Sequence, residues 1–260
     1  MAPDKSPRNL NDTIFAPSTA PGRAGVAVLR VSGISAARAV EQLCGTPPKE
    51  PRKAYLTAFH DIRGTLIDRG LVLWFAAPSS FTGEDVVEFH IHGGRAVVDA
   101  MLAALSHVPG LRPAERGEFT RRAVENGKLD LTQAEALADL IDAGTEAQRR
   151  QALRQYDGVL GALYEDWRDR LIRACALAEA TLDFPEEEIP ASAMAGVRQV
   201  ICDISQQIQE HLSDSRRGEI LREGVSLTVF GPPNVGKSSL LNALAKRDVA
   251  IVSELSLIHI

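Results

Sequence analysis

The sequence predicts a multidomain α+β chain: a mixed α+β region first, a helical region second, and the opening of a P-loop α/β domain last. Three observations carry this. Strand-like and helix-like runs alternate from Asp12 to about Lys128, apolar residues recur at helical spacing from Leu131 to about Glu223, and a phosphate-binding loop pattern stands at Gly231–Ser238. The chain has 260 residues, 45% of them hydrophobic, so it can bury one or two cores.

In the first region, Gly25–Val31, Leu71–Phe75 and Val86–His92 read as strands, and Ser35–Leu43 and Ala96–Leu105 as helices, with turns at Gly93-Gly94 and Pro109-Gly110. In the second, Thr132 followed by Glu135 reads as a capping box that starts a helix near Gln133. Leu137, Leu140, Ile141 and Gly144 continue it. A second stripe runs through Val159, Leu160, Leu163, Trp167, Leu171, Ala174, Leu177 and Ala178. Such stripes fit a bundle core better than a partner groove. Two prolines in Asp183–Pro190 break the helix, which resumes over Val197–Leu212. The expected divisions are a flexible 1–10, a first domain 11–130, a helical domain 131–223, a nucleotide-binding start 224–254 and a tail 255–260.

Gly231-Pro232-Pro233-Asn234-Val235-Gly236-Lys237-Ser238 follows an apolar run, Val225–Phe230, expected as a buried strand, and precedes a helix opening at Ser239. Glycines admit a phosphate without Cβ clashes, and unpaired N–H groups point at the anion. Lys237 adds a positive charge for the β and γ phosphates, and Ser238 is a Mg²⁺ ligand. The blander alternative, a glycine-rich turn with no nucleotide, is disfavoured by the Lys-Ser pair and by both flanks.

The net charge of −5 gives no global nucleic-acid signature, so any RNA contact is local and DNA is not expected. Cys44, Cys175 and Cys202 match no metal spacing and read as core thiols of a reducing compartment. Met1–Asn11 has no apolar signal core, and no run approaches the roughly 18 apolar residues of a membrane span, so the cytoplasm is expected.

Three segments resemble the MnmE/TrmE family of tRNA-modification GTPases: Asn11–Ile14 with Pro21–Val26 and Leu29–Gly33; Ser80–Asp85 with His92–Gly94; and Arg116–Ala123 continuing through Asn126–Ala136. Asp183–Glu187 and the P-loop follow in the family's order. The resemblance implies a tetrahydrofolate-binding type of N-terminal domain that forms a homodimer, then a helical domain interrupted by an inserted G domain. It implies that Arg30, Glu88 and Lys128 line a folate pocket. Strand alternation by itself favours the solvated face of half-buried strands for Arg30 and Glu88, and the resemblance reverses that preference. A pterin can pair with a carboxylate, and the tail carboxylates of a folate with Arg or Lys. His90 and His92 share the face of Glu88, and without a third ligand they read as strand-surface or pocket-edge residues rather than a metal site.

By the same resemblance, Gly231, Asn234, Val235, Gly236, Lys237, Ser238 and Ser239 bind GTP, with Lys237 and Asn234 as catalytic groups. Asn234 helps hold K⁺ against the phosphates, where other GTPases place an arginine finger; a plain turn asparagine is the alternative. The K⁺ loop would begin at Ala250–Glu254 and take in Ser253 and Leu255. The sequence departs from the family at Leu255, and no Asp-x-x-Gly, Asn-Lys-x-Asp or Cys-x-Gly-Lys motif follows the P-loop in it. A transposase adapter used in sequencing libraries translates to Leu-Ser-Leu-Ile-His-Ile, so Leu255–Ile260 is expected to be a non-native tail on a chain cut inside its G domain.

The implied reaction adds carboxymethylaminomethyl to C5 of the wobble uridine of certain tRNAs. The partner MnmG brings FAD and NADH, a tetrahydrofolate derivative gives the carbon, and GTP with Mg²⁺ and K⁺ drives G-domain closure. The 260 residues alone are expected not to hydrolyse GTP. The rival readings are a folate-binding dimerisation or scaffold module with a vestigial P-loop, and a generic ribosome-assembly or regulatory GTPase that lacks the folate-domain segments.

Overall fold

The computed structural model describes residues 12–183, 191–223, 228–232 and 235–245. It divides into two compact units, Met1–Asp169 and Arg170–Ile260. The architecture is the expected multidomain α+β.

Unit 1 is built on a six-stranded sheet. Its strands are β1 (Thr13–Pro17), β2 (Ala24–Ser32), β3 (Tyr55–His60), β4 (Leu66–Phe75), β5 (Val86–Gly93) and β6 (Leu111–Pro113), in the order β3-β4-β5-β2-β1-β6. All neighbours are antiparallel except β1 and β6. Alternation assigns the faces. Leu29 and Val31 of β2 and Val87, Phe89 and Ile91 of β5 point into the core, leaving Arg30, Glu88, His90 and His92 on the opposite face.

Helices α1 (Ala36–Cys44) and α2 (Arg95–Ser106) supply the other half of that core through Val40, Leu43, Met101 and Leu105. Phe59 and Phe89 meet edge-to-face at 5.7 Å. Helix α1 ends at Gly45, whose positive φ of 76° lets its N–H return to the Glu41 carbonyl.

Strands β1, β3 and β6 and helix α3 (Glu118–Glu125) were not among the sequence expectations. Helix α4 (Leu131–Asp142) begins two residues earlier than the Thr132/Glu135 reading. Its N-cap is Asp130, whose carboxylate accepts from Gln133 N at 2.8 Å while the Gln133 side chain accepts from Asp130 N. A carboxylate that also bonds the Thr132 hydroxyl out-competes that hydroxyl as the cap. The helix stops at Asp142 because Ala143 is extended, so Gly144 lies outside it and Ile141 is exposed. A second capping box, Thr145 with Gln148, starts α5 (Glu146–Tyr156). Reciprocal amide bonds, Gln133 to the Tyr156 carbonyl and Gln155 to the Thr132 carbonyl, tie α4 to α5.

Helix α6 spans Val159–Asp183, and α7 spans Ala191–Glu223, longer than the expected Val197–Leu212. Of the second apolar stripe, Trp167 and Ala174 are buried, whereas Val159, Leu171 and Leu177 are exposed. The stripe is therefore only partly core: at 25 residues the helix is longer than what covers it among the described residues. In unit 2, Val197 and Ile204 are buried seven residues apart on α7, and Arg170 reaches Gln207. Cys175 and Cys202 are exposed, which corrects their reading as core thiols. Cys44 is half-buried, and burial pushes its thiol up to about 12 against a lowering hydrogen bond from Thr57.

Helix α8 covers Lys237–Ala245. The expected strand Val225–Phe230 does not form where it is described: Thr228–Phe230 is not strand, and Phe230 is 91% exposed. A strand needs a neighbour for its N–H and C=O groups, and none lies beside it among the described residues. The N-terminal segment 1–10, the proline break 184–190, Asn234, Ser253 and Leu255 of the K⁺ reading, and the tail 255–260 lie outside the described residues. No described helix is long and apolar enough to cross a membrane.

Candidate functional site

Arg30 and Glu88 occupy opposed positions on β2 and β5. Arg30 donates from Nε at 3.0 Å and from Nη2 at 2.8 Å to the same carboxylate oxygen, Glu88 Oε1. The guanidinium lies 5.2 Å from the Phe81 ring centroid and 5.8 Å from that of Phe119. Both residues of the pair are partly exposed, and Glu88 Oε2 accepts no hydrogen bond among the described residues. The result is a charged pair flanked by aromatic rings, with guanidinium donors and one carboxylate oxygen left to spend. A planar heterocycle with N–H groups, or a carboxylate, fits that chemistry.

Lys128 sits elsewhere in the chain but against the same loop. Its Nζ donates to the Pro78 carbonyl at 3.0 Å, and Asn126 Nδ2 donates to the Thr82 carbonyl at 2.7 Å. The segment they hold, 76–85, carries Phe81 to Arg30. It is gripped as well by Arg52 through the Ser79 carbonyl and by Asp85, which accepts from Ala77 N. The structure thus brings Arg30 and Glu88 into direct contact and places Lys128 on the outer side of the loop beside them.

Beneath this loop runs a polar network that sequence reasoning did not find. Ser32 Oγ shares a hydrogen bond with Thr82 Oγ1 and donates to Glu84 Oε2, both at 2.6 Å. Arg122 donates to Glu84, to Glu118 and to the Asp12 carbonyl, and Arg112 donates to Glu118 and Asp12. Burial pushes the Glu118 carboxyl up, but bonds from Arg112, Glu115 N and Arg122 outweigh it and hold the group at about 2. The same contacts raise Arg112. The only trace of this in the sequence is that Ser80–Asp85 and Arg116–Ala123 are polar motifs whose charges have no assigned task.

His92 and His90 differ. The His92 ring is 71% exposed, and its Nδ1 lies 2.8 Å from Asp68 Oδ1, while Asp68 Oδ2 accepts from His92 N. Burial works to raise Asp68, but those bonds prevail and lower it. His90 Nε2 is buried, without a hydrogen-bond partner, 3.5 Å from Glu88 Oε2. Among the described residues no three His, Cys, Asp or Glu groups converge on a metal position.

At the second candidate site, α8 starts on Lys237 directly after Gly236, which has φ of 90° and open space where a Cβ would stand. The first intrahelical bond runs from Leu240 N to the Gly236 carbonyl, so the amides of Lys237, Ser238 and Ser239 lie ahead of it. Lys237 Nζ folds back onto the Gly231 and Pro232 carbonyls at 3.0 and 2.6 Å. Val235 is exposed beside it.

Comparison with known proteins gives two family matches. The model described as GTP-binding protein TrmE N-terminus matches residues 13–128, and the MnmE helical domain model matches residues 131–256. The chain is 60% identical over 244 residues to a tRNA modification GTPase MnmE of Parvibaculum lavamentivorans, covering 94% of this chain and 56% of the relative. It is 55% identical over 258 residues to the protein of that name in Rhodospirillum rubrum. A mitochondrial 5-taurinomethyluridine-tRNA synthase subunit of Danio rerio is 54% identical over 245 residues, with 49% of its length covered. The chain spans about half the length of the curated relatives it matches.

Proposed function

Since the chain belongs to the MnmE/TrmE family, we propose that it carries the one-carbon-cofactor site and the phosphate-binding loop of a GTPase that modifies tRNA. Together with MnmG, which holds FAD and NADH, the whole enzyme adds carboxymethylaminomethyl to C5 of the wobble uridine. The observation that carries this reading is the Arg30–Glu88 pair between Phe81 and Phe119. A bound tetrahydrofolate derivative supplies a one-carbon unit. Glu88 Oε2 would accept a ring N–H of the pterin, the aromatic rings would offer it a face, and Arg30 and Lys128 would attract the tail carboxylates. The 76–85 loop, fixed from beneath by Ser32, Glu84 and Arg122, keeps Phe81 in place so that little ordering is left to do on binding.

At the nucleotide site the amides of α8 and Lys237 hold the β and γ phosphates of GTP, and Ser238 is the Mg²⁺ ligand. Lys237 exchanges carbonyl partners for phosphate oxygens as GTP arrives. Asn234, with Ser253 from the following loop, is assigned to K⁺, whose charge would offset that developing between the β and γ phosphates. The N-terminal domain forms the homodimer, and the working compartment is the cytoplasm.

Calorimetry with 5-formyltetrahydrofolate tests the first site on the 260-residue chain. Binding is expected, and Glu88→Ala should weaken it at least tenfold; equal affinities would remove the pocket from Arg30 and Glu88. For the second site, hydrolysis by a chain that includes the rest of the G domain should be faster in K⁺ than in Na⁺, with Asn234→Ala erasing the difference.

A further inference from the structure

Glu88 has four lone-pair directions to satisfy. Arg30 uses two of them, both on Oε1. Oε2 is left with two, and the polar atom beside it is His90 Nε2 at 3.5 Å, just beyond hydrogen-bond range. That nitrogen is itself buried and unpartnered, an arrangement that costs free energy unless a small side-chain rotation closes the gap. Strand alternation puts the two side chains on one face of β5, two residues apart.

We propose that His90 is a positioning residue for Glu88: with its proton on Nε2 it takes one lone pair of Oε2, so that the carboxylate presents a single remaining acceptor to the ligand. This rests on the ligand reading of the Arg30–Glu88 pair. Held by Arg30 on one oxygen and by His90 on the other, the carboxylate cannot rotate to follow its ligand. The site then selects a planar ring that brings one N–H group to a fixed point, and it disfavours a cationic amine seeking both oxygens. His90 acts through Glu88: its Nε2 is covered, so a ligand meets the carboxylate and not that nitrogen.

The charged and titratable groups around His90 are few. On its own strand stand Glu88 and His92, the latter bonded to Asp68. On β2 its opposite is Val28, with Arg30 one pair further on; on β4 its opposite is Leu71, followed on the same face by Arg69. Among the described residues, Glu88 is the carboxylate that lies within 4 Å of the His90 ring.

The experiment is a double-mutant cycle on the 260-residue chain, read by calorimetry with 5-formyltetrahydrofolate and by NMR of the His90 ring N–H without ligand. His90→Leu should weaken binding about tenfold, while His90→Gln, which keeps an N–H donor, should stay within about threefold. In a Glu88→Gln background, His90→Leu should add less than about twofold, because the group it positions has lost its charge. Without ligand, Glu88→Gln should move the His90 Nε2–H proton signal upfield, since a charged acceptor is replaced by a neutral amide. An equal cost of His90→Leu in both backgrounds, a His90→Gln as weak as His90→Leu, or a His90 Nε2–H signal indifferent to Glu88→Gln overturns the proposal. Should the parent chain bind no folate while Glu88→Gln still moves that signal upfield, the folate reading fails and the Glu88–His90 contact stands.

Discussion

Glu118 Oε1 accepts from Arg112 Nη2 at 2.6 Å, and the carboxylate that receives this bond is 1% exposed. It accepts also from Arg122, which is 4% exposed, and from the Glu115 amide at 2.8 Å. Glu118 is therefore the anion that makes two guanidinium groups tolerable in the interior of unit 1. Glu118→Gln keeps the shape and removes the charge, leaving Glu84 as the carboxylate on Arg122. Weakening charged hydrogen bonds in the interior in this way should cost about 1.5–3 kcal/mol. Both tryptophans, Trp74 and Trp167, lie in unit 1, so their fluorescence during urea unfolding reads this cost as a lower midpoint.

The same carboxylate sets an acid limit. Its folded value of about 2 lies below the ordinary 4.5, so its contribution is complete above the ordinary value and fades as the pH falls towards 2. At roughly 1.4 kcal/mol per pH unit of displacement, about 3 kcal/mol is at stake. Asp68, lowered by its bonds to His92, acts in the same direction. Urea midpoints should hold from about pH 7 to 5 and then drop, and Glu118→Gln should flatten the drop. A variant with the parent's full acid dependence would assign the loss to other carboxylates.

The central strands were legible because Leu29, Val31, Val87, Phe89 and Ile91 alternate with polar residues, and this alternation also put Arg30 and Glu88 on one face. Their direct contact was not legible, since pairing register depends on the bulge between Ala24 and Ala27 and on segments far apart in sequence. Strand β1 ends in Pro17 and β6 has three residues, one of them Pro113, so neither has a period to read. In α3 the polarity is inverted: the buried face carries Glu118 and Arg122, and no hydrophobic pattern marks it. The P-loop was legible as a motif, while its preceding strand depends on neighbours that local sequence does not supply.

Strand β4 passes so close to β5 at Gly70 that a Cβ there would stand 2.0 Å from the His90 carbonyl oxygen and 3.1 Å from the Phe59 ring. The obstacle is backbone, which cannot turn aside as a flexible side chain does. Gly70→Ala should cost about 3 kcal/mol, the upper end for overpacking, and should loosen β4 from β5. Hydrogen exchange checks this: amides of Leu71–Phe75 should lose protection before those of β2. Unchanged protection would mean that β4 shifts as a unit at little cost.

Leu56 and Leu71 stand opposite one another on β3 and β4, on the face away from α1 and α2, with Leu56 79% and Leu71 39% exposed. Val26 on β2 is exposed as well. If the homodimer proposed for the N-terminal domain uses this face, each leucine it covers contributes about 1.5–3 kcal/mol. Leu56→Glu with Leu71→Glu puts four carboxylates into a symmetric contact, because each patch meets its own copy. Dissociation should strengthen at least tenfold for every ~1.4 kcal/mol lost, turning a dimer into a monomer in sedimentation experiments at micromolar concentration. The substitutions replace solvent-facing side chains, so the urea midpoint of the monomer should hold. A double variant that remains dimeric would place the contact elsewhere on unit 1.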